Sequence, residues 1–377
     1  MELLHHPAFE EAWQGLVPQE VWDCHVHLIG TGDTNSGIWI HPHMRSPLHP
    51  LRYLAMRAYM QASCIRKGDR ADDQYVHYLL AQLEAFPVGC KVLLLAFDWF
   101  HDATGTARPE LSGFHVPNTY AASIAQAHPD RFAWAASIHP LRSDAVESLR
   151  QAVQAGACAV KWLPQAMGID PASPRCDPFY AEMKHYQLPL LCHAGEEKAT
   201  PSGGDQSLGN PLRLRRPLAH GVKVIIAHGA SLGMEDDLDR QEKNRPKMPA
   251  FHLFARLMGE SAWQELLLGD ISATVLLNRD PQVMDLLLTK REWHDRLLNG
   301  SDYPLPGIRP IIWTSRFVKR GLLDAAQGKQ LDAIRCYNPL LFDFLLKRLL
   351  SKAGGGFSAS VFHTARHFRP FLGNPSP

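Results

Sequence analysis

The chain has 377 residues, 45% of them apolar, 20% charged and 9% aromatic, a globular composition far from the disordered or collagen-like extremes. Its 39 lysines and arginines balance 38 aspartates and glutamates, so no field of one sign exists to draw in nucleic acid or an anionic membrane. Seven cysteines without a CxxC pair argue against a disulfide framework or zinc ribbon, and point to reduced thiols in a cytoplasmic protein.

In chain order, Met1 to Gln19 mixes Glu into its apolar positions and lacks a basic leader, so it reads as an N-terminal helix and not a signal peptide; His5 and His6 belong to its surface. Eight short apolar runs follow: Val21–His27, Cys90–Phe100, Phe132–Pro140, Cys158–Leu163, Leu188–His193, Val222–His228, Leu266–Ile271 and Leu297–Asp302. Most are nearly continuous in apolar residues, as strands buried on both faces of a parallel sheet are. Helix-like segments separate them. Ser143–Ala155 is one, with Ser143 as its expected N-cap and Gly156 as its C′ residue. Eight strand–helix repeats predict a (β/α)₈ TIM barrel in one domain, residues 1–353, followed by a tail, 354–377.

Two connections exceed a plain helix. Leu28–Gly89 is rich in Gly, His and Pro and then helical (Leu51–Met60, Asp73–Phe86). Ser231–Glu265 opens with the charged run Glu235–Lys247, read as a solvated loop. Both follow strands and stand over the face where barrel enzymes build their sites. The tail is Gly-rich, then basic and aromatic, and suits wrapping the barrel or a partner subunit in a homodimer. No GxGxxG or GxxxxGK[ST] follows a strand, which argues against nucleotide binding. No run is long enough to span a membrane. The expected partner is a small-molecule substrate.

Polar residues gather where the strands end. The first run ends Asp23-Cys24-His25-Val26-His27; alternation puts His25 and His27 on one face, with Cα atoms about 6–7 Å apart, able to converge on one metal. The fifth run ends at His193, the sixth at His228 and the eighth at Asp302. One such histidine is ordinary; four histidines and an aspartate at the same end of successive strands are not. Buried imidazoles and a carboxylate need partners, and a divalent cation satisfies them together.

This ordered set resembles the amidohydrolase superfamily. Within it, Asp23–His27, Ser137-Ile138-His139-Pro140, His193-Ala194-Gly195-Glu196, Gly300-Ser301-Asp302-Tyr303-Pro304 and the segment Asn338–Phe342 are similar to the branch of TIM-barrel metal-dependent hydrolases that also contains decarboxylases and hydratases. The resemblance runs from about Val21 to Phe344. It implies that His25, His27 and His193 bind one metal, zinc or a similar divalent ion, and that Asp302 contacts it and takes a proton from its water. His228 is implied as a ligand of a second metal or a proton shuttle. Lys161, in the fourth strand, stands where binuclear members carry a bridging carbamate, although many members of this branch have one metal and none. Left as an amine, it is expected to pair with Glu196 or Glu197.

His139, Trp162, Glu196 and Arg45 are weaker candidates for substrate contact, as are Trp99, His101, His41, His43 and His49. The expected reaction is hydrolysis of a C–N or C–O bond in an amide, lactone or related ester. The alternative is decarboxylation or hydration of a small carboxylated substrate on the same site. A non-catalytic barrel fits poorly because every ligand is present, and a Lys161 Schiff-base aldolase leaves the histidines unexplained.

Overall fold

A computed structural model of the chain describes residues 7–66, 68, 70–198, 200, 204–241 and 245–368. His5, His6 and the tail beyond Phe368 lie outside the described residues. Eight parallel strands match the eight apolar runs: β1 (Trp22–His27), β2 (Lys91–Leu95), β3 (Phe132–Ala135), β4 (Val160–Trp162), β5 (Leu190–His193), β6 (Val224–Ala227), β7 (Leu267–Asp270) and β8 (Leu297–Leu298). They are shorter than the runs, whose flanking residues belong to the connections on either side.

The strands form a ring. β1, β2 and β3 pair in that order, as do β4 to β8. The first junction is sealed by a parallel bridge between Ala136 and Val160, with Lys161 N donating to the Ala136 carbonyl at 2.7 Å. At the second, Cys24 N donates to Asn299 O and His27 N to Tyr303 O, both at 3.0 Å. The sheet therefore closes on itself as a TIM barrel.

Helices cover the outside, and alternation assigns each strand side chain to the outer layer or the barrel interior. Leu93, Ala135, Ala159, Leu191, Ile225 and Leu298 fill the interior, while Val92, Trp134, Val160, Trp162, Leu190 and Ile226 pack outward among the helices. The helix predicted over Ser143–Ala155 spans Ala145–Gln154, with Asp144 and not Ser143 at its N-cap. Gly156 follows it at φ +89°, the left-handed C′ position expected of glycine.

β1 carries one extra residue: Asp23 and Val26 face Val92 and Leu94, three residues against two. A bulge of this kind flips the side-chain phase. Trp22 and Cys24 point into the barrel below it, and His25 and His27 point in above it, with Val26 outward. Asp23 secures the bulge, accepting from His25 N at 3.0 Å and Ser301 N at 2.9 Å.

The first long connection forms a roof. Its strand Trp39–Ile40 pairs antiparallel with Phe114–His115 from the segment after β2, and its helices are Pro50–Ala62 and Ala71–Leu83. Buried Asp72 accepts from Thr31 N at 2.6 Å and Ser36 Oγ at 2.6 Å, pinning the loop that leads into the roof strand. The charged run after β6 is not simply a solvated loop. Met234–Asp236 and Lys247–Pro249 form a hairpin, and Asp237 and Asp239 bind Arg256 at 2.7 Å.

The described part of the tail wraps this chain's own barrel. Thr364 Oγ1 donates to Trp22 O at 2.6 Å, Asn299 N donates to Val361 O at 2.8 Å, and buried Phe368 stacks on Trp22 beneath the interior cluster. The described residues of the tail, 354–368, thus pack against the barrel.

Candidate active site

The same alternation that fills the barrel delivers its reactive groups. The interior residues Ala159, just before β4, Leu191 on β5 and Leu268 on β7 are followed two positions later by Lys161, His193 and Asp270. These join His25 and His27 above the bulge of β1. His228 and Asp302 leave β6 and the β8 loop with φ of 58° and 59°, a left-handed conformation that costs non-glycine residues of order 1–3 kcal/mol and collects at functional sites.

The groups converge. His27 Nε2 lies 3.1 Å from Asp302 Oδ1 and His25 Nε2 lies 3.5 Å from the same oxygen. His228 Nε2 is 3.8 Å from Asp302 Oδ2. The His25 ring centre lies 5.1 Å from that of His27 and 5.0 Å from that of His228, which is 5.3 Å from His193. His25, His27, Lys161, His193, His228 and Asp302 all line one cavity.

Asp270, which the sequence reading did not single out, organises this floor. Its Oδ2 accepts from His25 Nδ1 at 2.9 Å, and its Oδ1 accepts from His228 N and Ser272 N, each at 2.9 Å. Ser272 Oγ donates to Asp270 Oδ1, so it must accept from His228 Nδ1, 2.7 Å away. This relay holds the His228 proton on Nδ1. His25 and His228 therefore both present Nε2 lone pairs to the cavity, as metal-ligating imidazoles do when their other nitrogen is anchored.

Burial keeps these rings neutral: it pushes His228 down to about 3 and His193 well below the usual imidazole range. His25 is lowered by burial and by the Lys161 amine. Burial opposes ionisation of Asp302, but His228, His25 and His27 outweigh it and hold its carboxyl well below the normal range. The donor set is thus several neutral nitrogens and one carboxylate.

A divalent cation fits it. His193 Nε2 is buried with no hydrogen-bond partner among the described residues; Glu197 Oε2, at 3.5 Å, is its nearest charged neighbour. Burying such an atom unpaired is costly, although His193 belongs to neither of the candidate ligand groups. Two groups, His25–His27–Asp302 and His25–His228–Asp270, have ligand atoms within 4.8 Å of one another.

Lys161 is buried and donates to His25 Nε2 at 3.2 Å. The expected pairing with Glu196 is not made: Glu196 lies over a third exposed and binds Lys198 at 3.1 Å. Glu197 instead faces His193.

The weaker candidates are seated away from the cavity. Trp162 follows the outward phase of β4, donates to Ile138 O and packs on Phe179 and Tyr180. His139 is buried against His101. Arg45 is exposed and donates to Thr31 O. His43 stacks on His49 and meets His41 edge-on, all three outside the cavity lining. Sequence reasoning missed the roof itself, Ile38, Ile40, Met44, Met56, Tyr59 and Phe114, whose only signal was their place in or beside the long connections.

The amidohydrolase family model matches residues 22–340. Among solved structures, an uncharacterized TIM-barrel protein from Bordetella bronchiseptica is 18% identical, covering 86% of this chain and 99% of that one with a TM-score of 0.49. The 5-carboxyvanillate decarboxylase of Sphingomonas paucimobilis is 11% identical, covering 92% and 98%, TM-score 0.49. The 4-oxalomesaconate hydratase of Rhodopseudomonas palustris is 16% identical, covering 85% and 96%, TM-score 0.41. No curated protein matches.

Proposed function

We propose, from the premise that this chain belongs to the amidohydrolase family, that it is a metal-dependent hydrolase acting on a C–N or C–O bond of a small amide, lactone or related ester. The observation that supports this most is the cavity floor, where four histidines and Asp302 meet and the buried His193 Nε2 has no hydrogen-bond partner among the described residues. In this reading His25, His27, His193 and Asp302 hold a divalent cation, and the nitrogen-rich donors favour zinc. A bound cation of this kind lowers its water's pKa from about 15.7 to about 7 and polarises a carbonyl oxygen.

The protein's own groups do the rest. Asp302, kept as a carboxylate, accepts the water proton and passes it to the leaving group. His228, with its proton fixed on Nδ1, offers Nε2 as a second proton acceptor or as a ligand to a second cation. Carbamylation of Lys161 by CO₂ would convert its amine into an anion that joins His228 in that second site. Asp270 keeps His25 and His228 oriented.

One observation favours a second reading. The Lys161 amine places a proton donor on the floor beside His25, which hydrolysis through Asp302 does not need and which protonation of a carbanion after decarboxylation does. Assaying metal-loaded protein with lactones, aryl esters and amides, against activated aromatic carboxylic acids, separates the two. Hydrolysis that is lost in Asp302→Asn supports the first reading. CO₂ release without any hydrolysis replaces it with the second.

A further inference from the structure

The walls above the polar floor say what sort of molecule the cavity takes. Ile40, Met44, Met56, Tyr59, Phe114 and Leu163 line it with apolar or aromatic surface. Among the described residues lining it the only lysine is Lys161, on the floor, and there is no arginine. Of the nearby arginines, Arg45 donates to the Thr31 carbonyl, and Arg279, buried outside the cavity lining, donates to Asn278 through Nη1 and lies on the side of the floor carboxylates Asp302 and Glu197, not on the apolar walls. Two carboxylates, Asp302 and Glu197, already stand in the cavity.

Resting on the site proposed above, we propose that the substrate is an apolar, flat aryl or short alkyl body bearing a single polar reacting group, and not a di- or tricarboxylic acid. The reacting group, a carbonyl or one carboxylate, meets the cation and Lys161 on the floor. Methionine side chains adapt to an aromatic face and make favourable sulfur–ring contacts with it. A second carboxylate on the far side of the body would be pressed against isoleucine, methionine and phenylalanine. It would lose its water with no counter-charge among the described residues lining those walls, and the Asp302 and Glu197 carboxylates would repel it. Met56, half-buried on the helix Pro50–Ala62, is the wall position where a cation would most change this preference.

The test is binding to zinc-loaded protein, measured by titration calorimetry with 4-methylbenzoate and benzene-1,4-dicarboxylate, which differ only in a methyl group against a second carboxylate. The monoacid is expected to bind at least about 10-fold more tightly, the minimum for leaving a charge unpaired in an apolar wall. Met56→Arg should narrow or reverse that ratio. Equal or tighter binding of the diacid by the parent, binding of neither probe, or an unchanged ratio in folded Met56→Arg protein would overturn the proposal. Neither probe is hydrolysed, so a failure of the hydrolase reading shows separately, as absent turnover of lactones, esters and amides.

Discussion

Asp270 Oδ2 accepts a 2.9 Å hydrogen bond from His25 Nδ1, and both residues are fully buried. A carboxylate from β7 thus fixes the ring orientation of a histidine from β1, across the closed barrel. Asp270→Asn keeps the shape but replaces the acceptor with an amide that must compete for the same geometry. Loss of such an outer partner typically costs about 10–100-fold in metal affinity. Competition with a chromophoric chelator should show that loss, while the thermal unfolding of the metal-free protein stays close to the parent's. Unchanged affinity would remove Asp270 from the site.

Asp302→Asn tests a different role. The substitution leaves the nitrogen ligands in place but removes the proton acceptor, so turnover should fall by about 10²–10⁴ while zinc content drops far less. Turnover that falls only in proportion to metal loss would make Asp302 a ligand and nothing more.

The barrel's lower end gives a stability prediction. Phe368 is wholly buried beneath the interior cluster, so Phe368→Ala should destabilise by about 3–5 kcal/mol, the usual cost of emptying a large aromatic site. Urea denaturation measures it. A change below about 1 kcal/mol would mean the tail only rests on the barrel.

Glu235, buried at the hairpin after β6, is pushed up to about 7 by burial and the neighbouring Asp236 carboxylate. The folded protein therefore binds this proton more tightly than the unfolded chain does. Its stabilising contribution is complete below the ordinary glutamate range and is lost as pH rises through about 7. Glu235→Gln should raise the melting temperature relative to the parent at pH 8 and leave the difference small or reversed at pH 5. A gain of the same size at both values would contradict this assignment.

Much of this was legible in the sequence. Strands buried on both faces must be continuously apolar, so eight such runs announced the barrel, and the groups that ended them announced the floor. His25, His27, Lys161, His193, His228 and Asp302 stand out in the sequence because each interrupts or ends an apolar run, and they line one cavity. Asp270 was hidden because it closes Leu266–Ile271, where a single aspartate before an isoleucine looks like a strand edge. Trp162, a weaker candidate for substrate contact, lies outside the cavity lining for a geometric reason: it is adjacent to Lys161, and adjacent strand residues point to opposite faces. The roof depends on how a 62-residue connection, 28–89, folds back over the barrel, and no local period records that. The bulge in β1 is likewise invisible, since it needs the register against β2.

The central claim is that the cavity floor binds a metal, and elemental analysis of the purified protein against a His25→Ala/His27→Ala double variant tests it most directly. The parent should carry about one or two equivalents of zinc or a similar divalent ion per chain. The double variant, still folded by circular dichroism, should carry almost none after the same equilibration with zinc and removal of the excess. Equal metal content in the two proteins would contradict the account.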